Sequence, residues 1–148
     1  MTDISPTLQR ERIVDPLVEL ARCSKQHRII VAGSNGPQLM FQLYRRGYRH
    51  VATTATCGLP DGRYDVALVD WQDHSVKALA STLDWLVHFL APSAVAVIRV
   101  GSREGGASRK LASMLERLGF QVEAGTRCEH GLVVSARRRD AAPKALAA

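Results

Sequence analysis

Two short stretches of this chain hold residue types that can do chemistry. "DWQDHS", Asp70 to Ser75, follows an apolar run and sets the carboxylates of Asp70 and Asp73 beside the imidazole of His74 and the indole of Trp71. Carboxylate and imidazole accept or donate protons under mild conditions. Asp70 and His74 are therefore the candidate catalytic pair, able to orient or deprotonate a nucleophile. "GSNGP", Gly33 to Pro37, joins an apolar strand-like run to a helix-like one. A glycine turn that opens a helix offers backbone N–H groups to an anionic ligand, so Gly33, Ser34, Asn35 and Gly36 are candidate binding residues.

Each of these residues has a purely structural alternative. Asp73 or Ser75 would cap the helix that begins near Val76. Trp71 would cover the sheet edge, and a loop histidine such as His74 is more often exposed than catalytic. Gly33 and Gly36 would serve the tight turn alone. Asp70, at the end of an apolar strand, keeps the strongest functional claim. Arg99 and Arg103, near the end of a later strand, could meet an acidic ligand, but a solvated surface is the simpler expectation for both.

Other motifs fail on inspection. "GSREGGAS" has Gly101 and Gly106 at the phosphate-loop interval, but Ala107 stands where lysine is required. "VALVDW" ends in an aspartate like a phosphoacceptor receiver, yet "AGSNG" and "IRVGS" supply neither the acidic pair nor the lysine that chemistry needs. The turn also misses the G-x-G-x-x-G dinucleotide pattern. Cys23, Cys57 and Cys128 are odd in number and lack CxxC spacing, so they read as reduced thiols, and the five histidines show no metal-ligand spacing.

The composition sets the class. Of 148 residues, 46% are hydrophobic, enough for the core of one folded domain. Runs such as "AVAVI" are too short to cross a bilayer and the first residues lack a signal-like apolar stretch, so a cytoplasmic protein is expected. The net charge of +6 would suit nucleic acid, but the cations are scattered and aromatics are only 5% of the chain, which favours a solvated basic surface.

Positioning those loops requires a layered fold. "DPLVELARCSKQ" reads as a helix with Asp15 as cap and Pro16 in the first turn. "RIIVAG", "HVATTAT", "YDVALVDW" and "AVAVIRV" read as strands, and "PQLMFQLYRRG", "SVKALASTLDWLVHFL" and "RKLASMLERLG" as helices. "GLPDGR" and "APSA" are turns, and "FQVEAGTRCEHGLVVSARRR" is an antiparallel hairpin with Gly125 and Gly131 in its loop. Strands alternating with helices predict an α/β fold: an open, mostly parallel sheet of about six strands, helices on both faces. Residues 1–139 would form the single domain and 140–148 a fraying tail. In such a sheet, ligands bind beyond the strand ends where strand order reverses.

The layout resembles the class I S-adenosylmethionine-dependent methyltransferases. "RIIVAGSNGPQLMFQLYRRGYRHV" is similar to that family's first strand, glycine-rich turn and helix. "LPDGRYDVALVD" resembles its approach to the fourth strand, "LVHFLAPSAVAVIRV" its helix, turn and fifth strand, and "LERLGFQVEAG…GLVVSARR" its closing helix and hairpin. The resemblance implies S-adenosylmethionine as cofactor, held by Gly33, Ser34, Asn35, Gly36, Thr54, Asp61 and Trp71, with Trp71 stacking on a ring. Asp70 and His74 would act on an acceptor, a small molecule or a protein, that the sequence does not identify.

The departures support a second expectation, a non-catalytic relative kept as a binding or interaction module. Asn35 stands at the family's second glycine and Pro37 at the third, and Val31 replaces an acidic residue before the turn. Asn35 suits a left-handed backbone, while Pro37 removes an N–H from the helix start. "HVATTATCG" holds no carboxylate for the ribose hydroxyls. The helix and third strand that the family inserts before "YDVALVD" are missing, leaving Asp61 as the one nearby acid. A sheet so shortened would expose an edge, to be covered by a homodimer or by the Asp15–Gln26 helix.

Overall fold

The computed structural model describes residues 17–33, 35–58, 62–71, 76–101, 107–128 and 131–138. Its first helical residues, 17–21 (α1), stop at Arg22, short of the predicted Gln26, because Arg22 adopts a left-handed φ of 52°. The Arg22 N–H then donates to the Glu19 carbonyl and the Cys23 N–H to that of Val18, the paired bonds that close a helix end.

The elements that follow are β1 (Ile29–Gly33), α2 (Gly36–Arg45), β2 (Val51–Thr53), β3 (Tyr64–Trp71), α3 (Val76–Leu86), β4 (Leu90–Val100), α4 (Ala107–Arg117), β5 (Phe120–Cys128) and β6 (Gly131–Arg138). A short 3-10 turn, Val87–Phe89, joins α3 to β4. The six strands form one sheet in the order β2-β1-β3-β4-β6-β5. The first four run parallel, and β6 and β5 are antiparallel to their neighbours. This is the predicted α/β architecture.

Alternation along the strands assigns each residue to one of two cores. Ile30, Ala32, Ala67, Val69, Ala96 and Ile98 pack under Leu79, Leu83 and Leu86 of α3 and Leu111 and Leu115 of α4. Ile29, Val31, Val66, Leu68, Val95 and Val97 pack on the other face with Leu17 of α1 and Leu39 and Leu43 of α2. Both faces of β1, β3 and β4 are thus covered, which is why these strands read as continuous apolar runs.

Three local expectations are revised. "APSA" is not a free turn: β4 begins at Leu90 and absorbs the extra residues as an irregularity, pairing Tyr64 with Leu90 but Val66 with Val95. Gly125 lies in β5 rather than the hairpin loop, paired with Val134. β2 is short because the chain turns back at Thr53. The Thr56 N–H donates to the Thr53 carbonyl at 3.1 Å, and the Thr53 N–H donates to Thr56 Oγ1 at 2.9 Å.

Those two bonds, with Tyr44 Oη donating to the Val51 carbonyl at 2.9 Å, satisfy outward-facing backbone groups of β2 from within the chain. His50 faces β1, its carbonyl accepting from the Ile29 N–H, so Val51 and Thr53 point to the open side. The expected bare edge at β2 is therefore largely capped by Tyr44 and Thr56. Among the described residues, no helix is long and apolar enough to cross a membrane.

Candidate functional site

The strand order reverses between β1 and β3, so the crevice lies between the ends of these two neighbours. There Gly33 pairs with Asp70, and Asp70 in turn pairs with Arg99 on β4. The three residues form a row across the sheet, all on the α1/α2 side by strand alternation.

Gly33 has a φ of 101°, and a Cβ at this position would collide with the Asp70 carbonyl, 2.7 Å from its carbon. Only glycine lets β1 end so close to β3. Gly36 is different: a Cβ there would meet the Val31 carbonyl at an ordinary 3.9 Å, so its small size is not dictated by that neighbour.

Asp70 is 1% exposed. Its Oδ1 accepts a charge-assisted hydrogen bond from Arg99 Nη1, and its Oδ2 accepts one from Asn35 Nδ2 at 3.1 Å. Both carboxylate oxygens are thereby engaged inside the chain. Arg99 is 6% exposed, which corrects the expectation that it is a solvated surface residue. A lone cation inside the buried run "AVAVIRV" was the available signal, because a charge is buried only where an opposite charge meets it. Its Nε, also buried, has no hydrogen-bond partner among the described residues.

Asn35 occupies the N-cap position of α2 with φ −119°, not the left-handed angle expected of it. Its carbonyl accepts the first helical bond, from the Leu39 N–H at 2.9 Å, but its side chain makes no capping bond. That side chain crosses to Asp70 instead, so residue type follows the partner across the cleft and not the backbone angle. α2 also has no acidic residue in its first turn, and Pro37 removes one N–H there.

The remaining candidates separate. Trp71 follows Asp70 in β3 and so points to the opposite face, where it packs against the α3/α4 core. The structure does not bring Trp71 into the group formed by Gly33, Asn35 and Asp70. Thr53 is buried, with its hydroxyl 3.2 Å from both Thr56 Oγ1 and the Ala55 N–H, and Thr54 is exposed in the turn beyond. Ser34, Asp61, Asp73, His74 and Arg103 lie outside the described residues. Among the described residues no cluster of side chains is suited to a metal ion.

The S-adenosylmethionine expected from the fold needs a carboxylate for its ribose and free polar groups at the turn. The described residues do not fit it as a whole. The end of β2 offers only Thr53, whose hydroxyl is already bonded, and exposed Thr54. Asn35 and Asp70 are bonded to each other across the space between the strands.

No protein-family model matches this sequence, and no curated protein matches it. Solved structures do match its fold. The 1,6-didemethyltoxoflavin-N1-methyltransferase of Burkholderia thailandensis superposes with a TM-score of 0.60 at 19% identity, over 91% of this chain and 82% of that one. The ribosomal protein L11 methylase of Lactobacillus delbrueckii gives 0.59 at 13% identity, over 89% and 79%. Magnesium protoporphyrin IX methyltransferase of Synechocystis gives 0.58 at 11% identity, over 93% and 86%. Sheet order, crossing helices and closing hairpin together identify the architecture of this chain as the class I S-adenosylmethionine-dependent methyltransferase-like fold.

Proposed function

We propose that this protein is a non-catalytic member of the methyltransferase-like fold, an interaction module whose strand-end carboxylate is held by its own side chains. The observation that carries this reading is the engagement of both Asp70 carboxylate oxygens, one by Arg99 and one by Asn35. A general base must face the proton it removes, whereas the Asp70 carboxylate is 1% exposed and turned towards Arg99 and Asn35. The fold by itself does not argue for transfer, because one architecture hosts many functions. The three structural neighbours bear names that point to quite different acceptors, so the fold does not indicate one here either.

A second reading, S-adenosylmethionine-dependent methyl transfer to an unidentified acceptor, is favoured by a specific observation. Among the described residues the buried Arg99 Nε has no acceptor, and the N-cap residue of α2 makes no side-chain capping bond. Both are donors that a ligand carboxylate would satisfy. The cofactor's sulfonium would supply the methyl group, while Arg99 and the α2 backbone would hold its carboxylate.

Calorimetric titration with S-adenosylmethionine and S-adenosylhomocysteine separates the two. The module reading predicts no saturable heat up to about 1 mM ligand, whereas a Kd in the micromolar range would replace it with the enzyme reading.

A further inference from the structure

Outside the crevice, a groove of about 880 Å³ runs between α3 and α4, on the face of the sheet opposite Asp70 and Arg99. One wall is a single helical stripe of α3, Lys77, Ala80, Ser81 and Asp84, at spacings of three and four. The other is the facing stripe of α4, from Arg109 to Arg117, with Leu118 just beyond its end. The floor is apolar, formed by Ala80, Met114 and Leu118, and small Ser81 and Ser113 keep the walls low.

The charge around this floor is one-sided. Lys77, Arg109, Lys110 and Arg117 line the groove against a single carboxylate, Asp84. All four cations are exposed, and none forms an ion pair among the described residues. Lys77, Arg109 and Lys110 also stand in the first turns of their helices, which contain no acidic residue. Cations there oppose the helix dipole, so their placement does not serve the stability of α3 or α4.

We infer that the α3/α4 groove docks a short acidic amphipathic helix of a partner protein. Apolar residues of that helix at i, i+3 or i+4, and i+7 would seat on Ala80, Met114 and Leu118, and flanking carboxylates would meet the four cations. The walls span about two helical turns, near 10 Å, which matches a helical face of that length. An extended nucleic acid would use the charges but not the apolar floor, and no aromatic side chain lines the groove for base stacking. This inference names a partner for the module reading and rests on it for its biological meaning. Its test is separate from the cofactor titration, so either can fail alone.

The probe is a fluorescein-labelled peptide of about 14 residues, enough for three to four helical turns, with leucines at the anchor spacing and glutamates on the flanks. Its all-glutamine counterpart, a short single-stranded DNA and inorganic tripolyphosphate serve as alternatives. Fluorescence anisotropy should give saturable micromolar binding of the acidic peptide, at least tenfold weaker for the glutamine peptide and for Lys110→Glu/Arg117→Glu. The exposed pair Lys25→Glu/Arg49→Glu changes the net charge equally outside the groove and should leave binding within about twofold. Ser81→Arg/Ser113→Arg adds charge while filling the groove, so it should weaken a seated helix but strengthen purely electrostatic binding. No binding of the acidic peptide, equal loss in both charge-reversal variants, or tighter binding by the arginine variant overturns the proposal. Preference for the DNA or tripolyphosphate over the peptide does so too.

Discussion

Asp70 and Arg99 stand opposite one another in the adjacent parallel strands β3 and β4, both buried, and join in an ion pair at the crevice where the fold places its ligands. With Gly33 and Asn35 they tie three strand ends and the start of α2 into one unit. Three consequences of this unit can be measured, and a fourth test concerns the buried thiol of Cys23.

The close approach of β1 to β3 depends on Gly33. Gly33→Ala puts a Cβ against the Asp70 carbonyl and forces an L-residue to hold a φ of 101°. The left-handed region alone costs about 1–2 kcal/mol, so the total loss in urea unfolding should exceed about 2 kcal/mol. A neutral Gly33→Ala would mean that β1 ends farther from Asp70.

Asn35 is worth what its bond to a charged, buried acceptor is worth. Asn35→Ala should cost about 1.5–3 kcal/mol in chemical denaturation. Asn35→Asp should cost more, since it sets a second carboxylate against Oδ2 of Asp70 in place of a donor. The reverse ranking would indicate that Asn35 faces solvent.

Cys23 links stability to alkaline pH. Burial pushes its thiol from 9.0 up to about 12. In the unfolded chain the thiol ionises near its ordinary value, whereas in the folded chain it stays neutral much longer. Its contribution is therefore complete below pH 9.0 and is lost as pH rises towards about 12. Tyr48, raised by burial and by Cys23 beside it and lowered in part by Arg46, adds to the same trend. Urea midpoints should fall over this window, and the fall should be shallower in Cys23→Ala. Identical slopes would place Cys23 in solvent.

Much of the architecture is legible in the residues themselves. Runs such as "RIIVAG" and "YDVALVDW" are apolar at every position because helices cover both faces, and Gly47 with φ 94° ends α2 where the pattern stops. The alternation of elements gives the parallel sheet, within which β3 pairs with β1 and sets Gly33 beside Asp70. What escapes is whatever depends on register. Whether Arg99 meets Asp70 or water is decided by pairing across two strands that lie 29 residues apart in sequence, which no local pattern encodes. Trp71 is the opposite case. Its separation from Asp70 follows from alternation alone, since consecutive strand residues point to opposite faces. Capping of β2 by Tyr44 and Thr56 depends on a tight turn in a stretch that reads as continuous strand.

The claim that Asp70 belongs to the internal structure and not to a ligand is tested most directly by a double-mutant cycle in urea unfolding, with Asp70→Leu, Arg99→Met and the pair combined. Each single change should cost about 3–5 kcal/mol by leaving the other charge buried alone, while the double variant should regain most of that loss. Additive, small effects, with Asp70→Leu near neutral, would contradict the account and return the carboxylate to the list of groups free to act on a bound molecule.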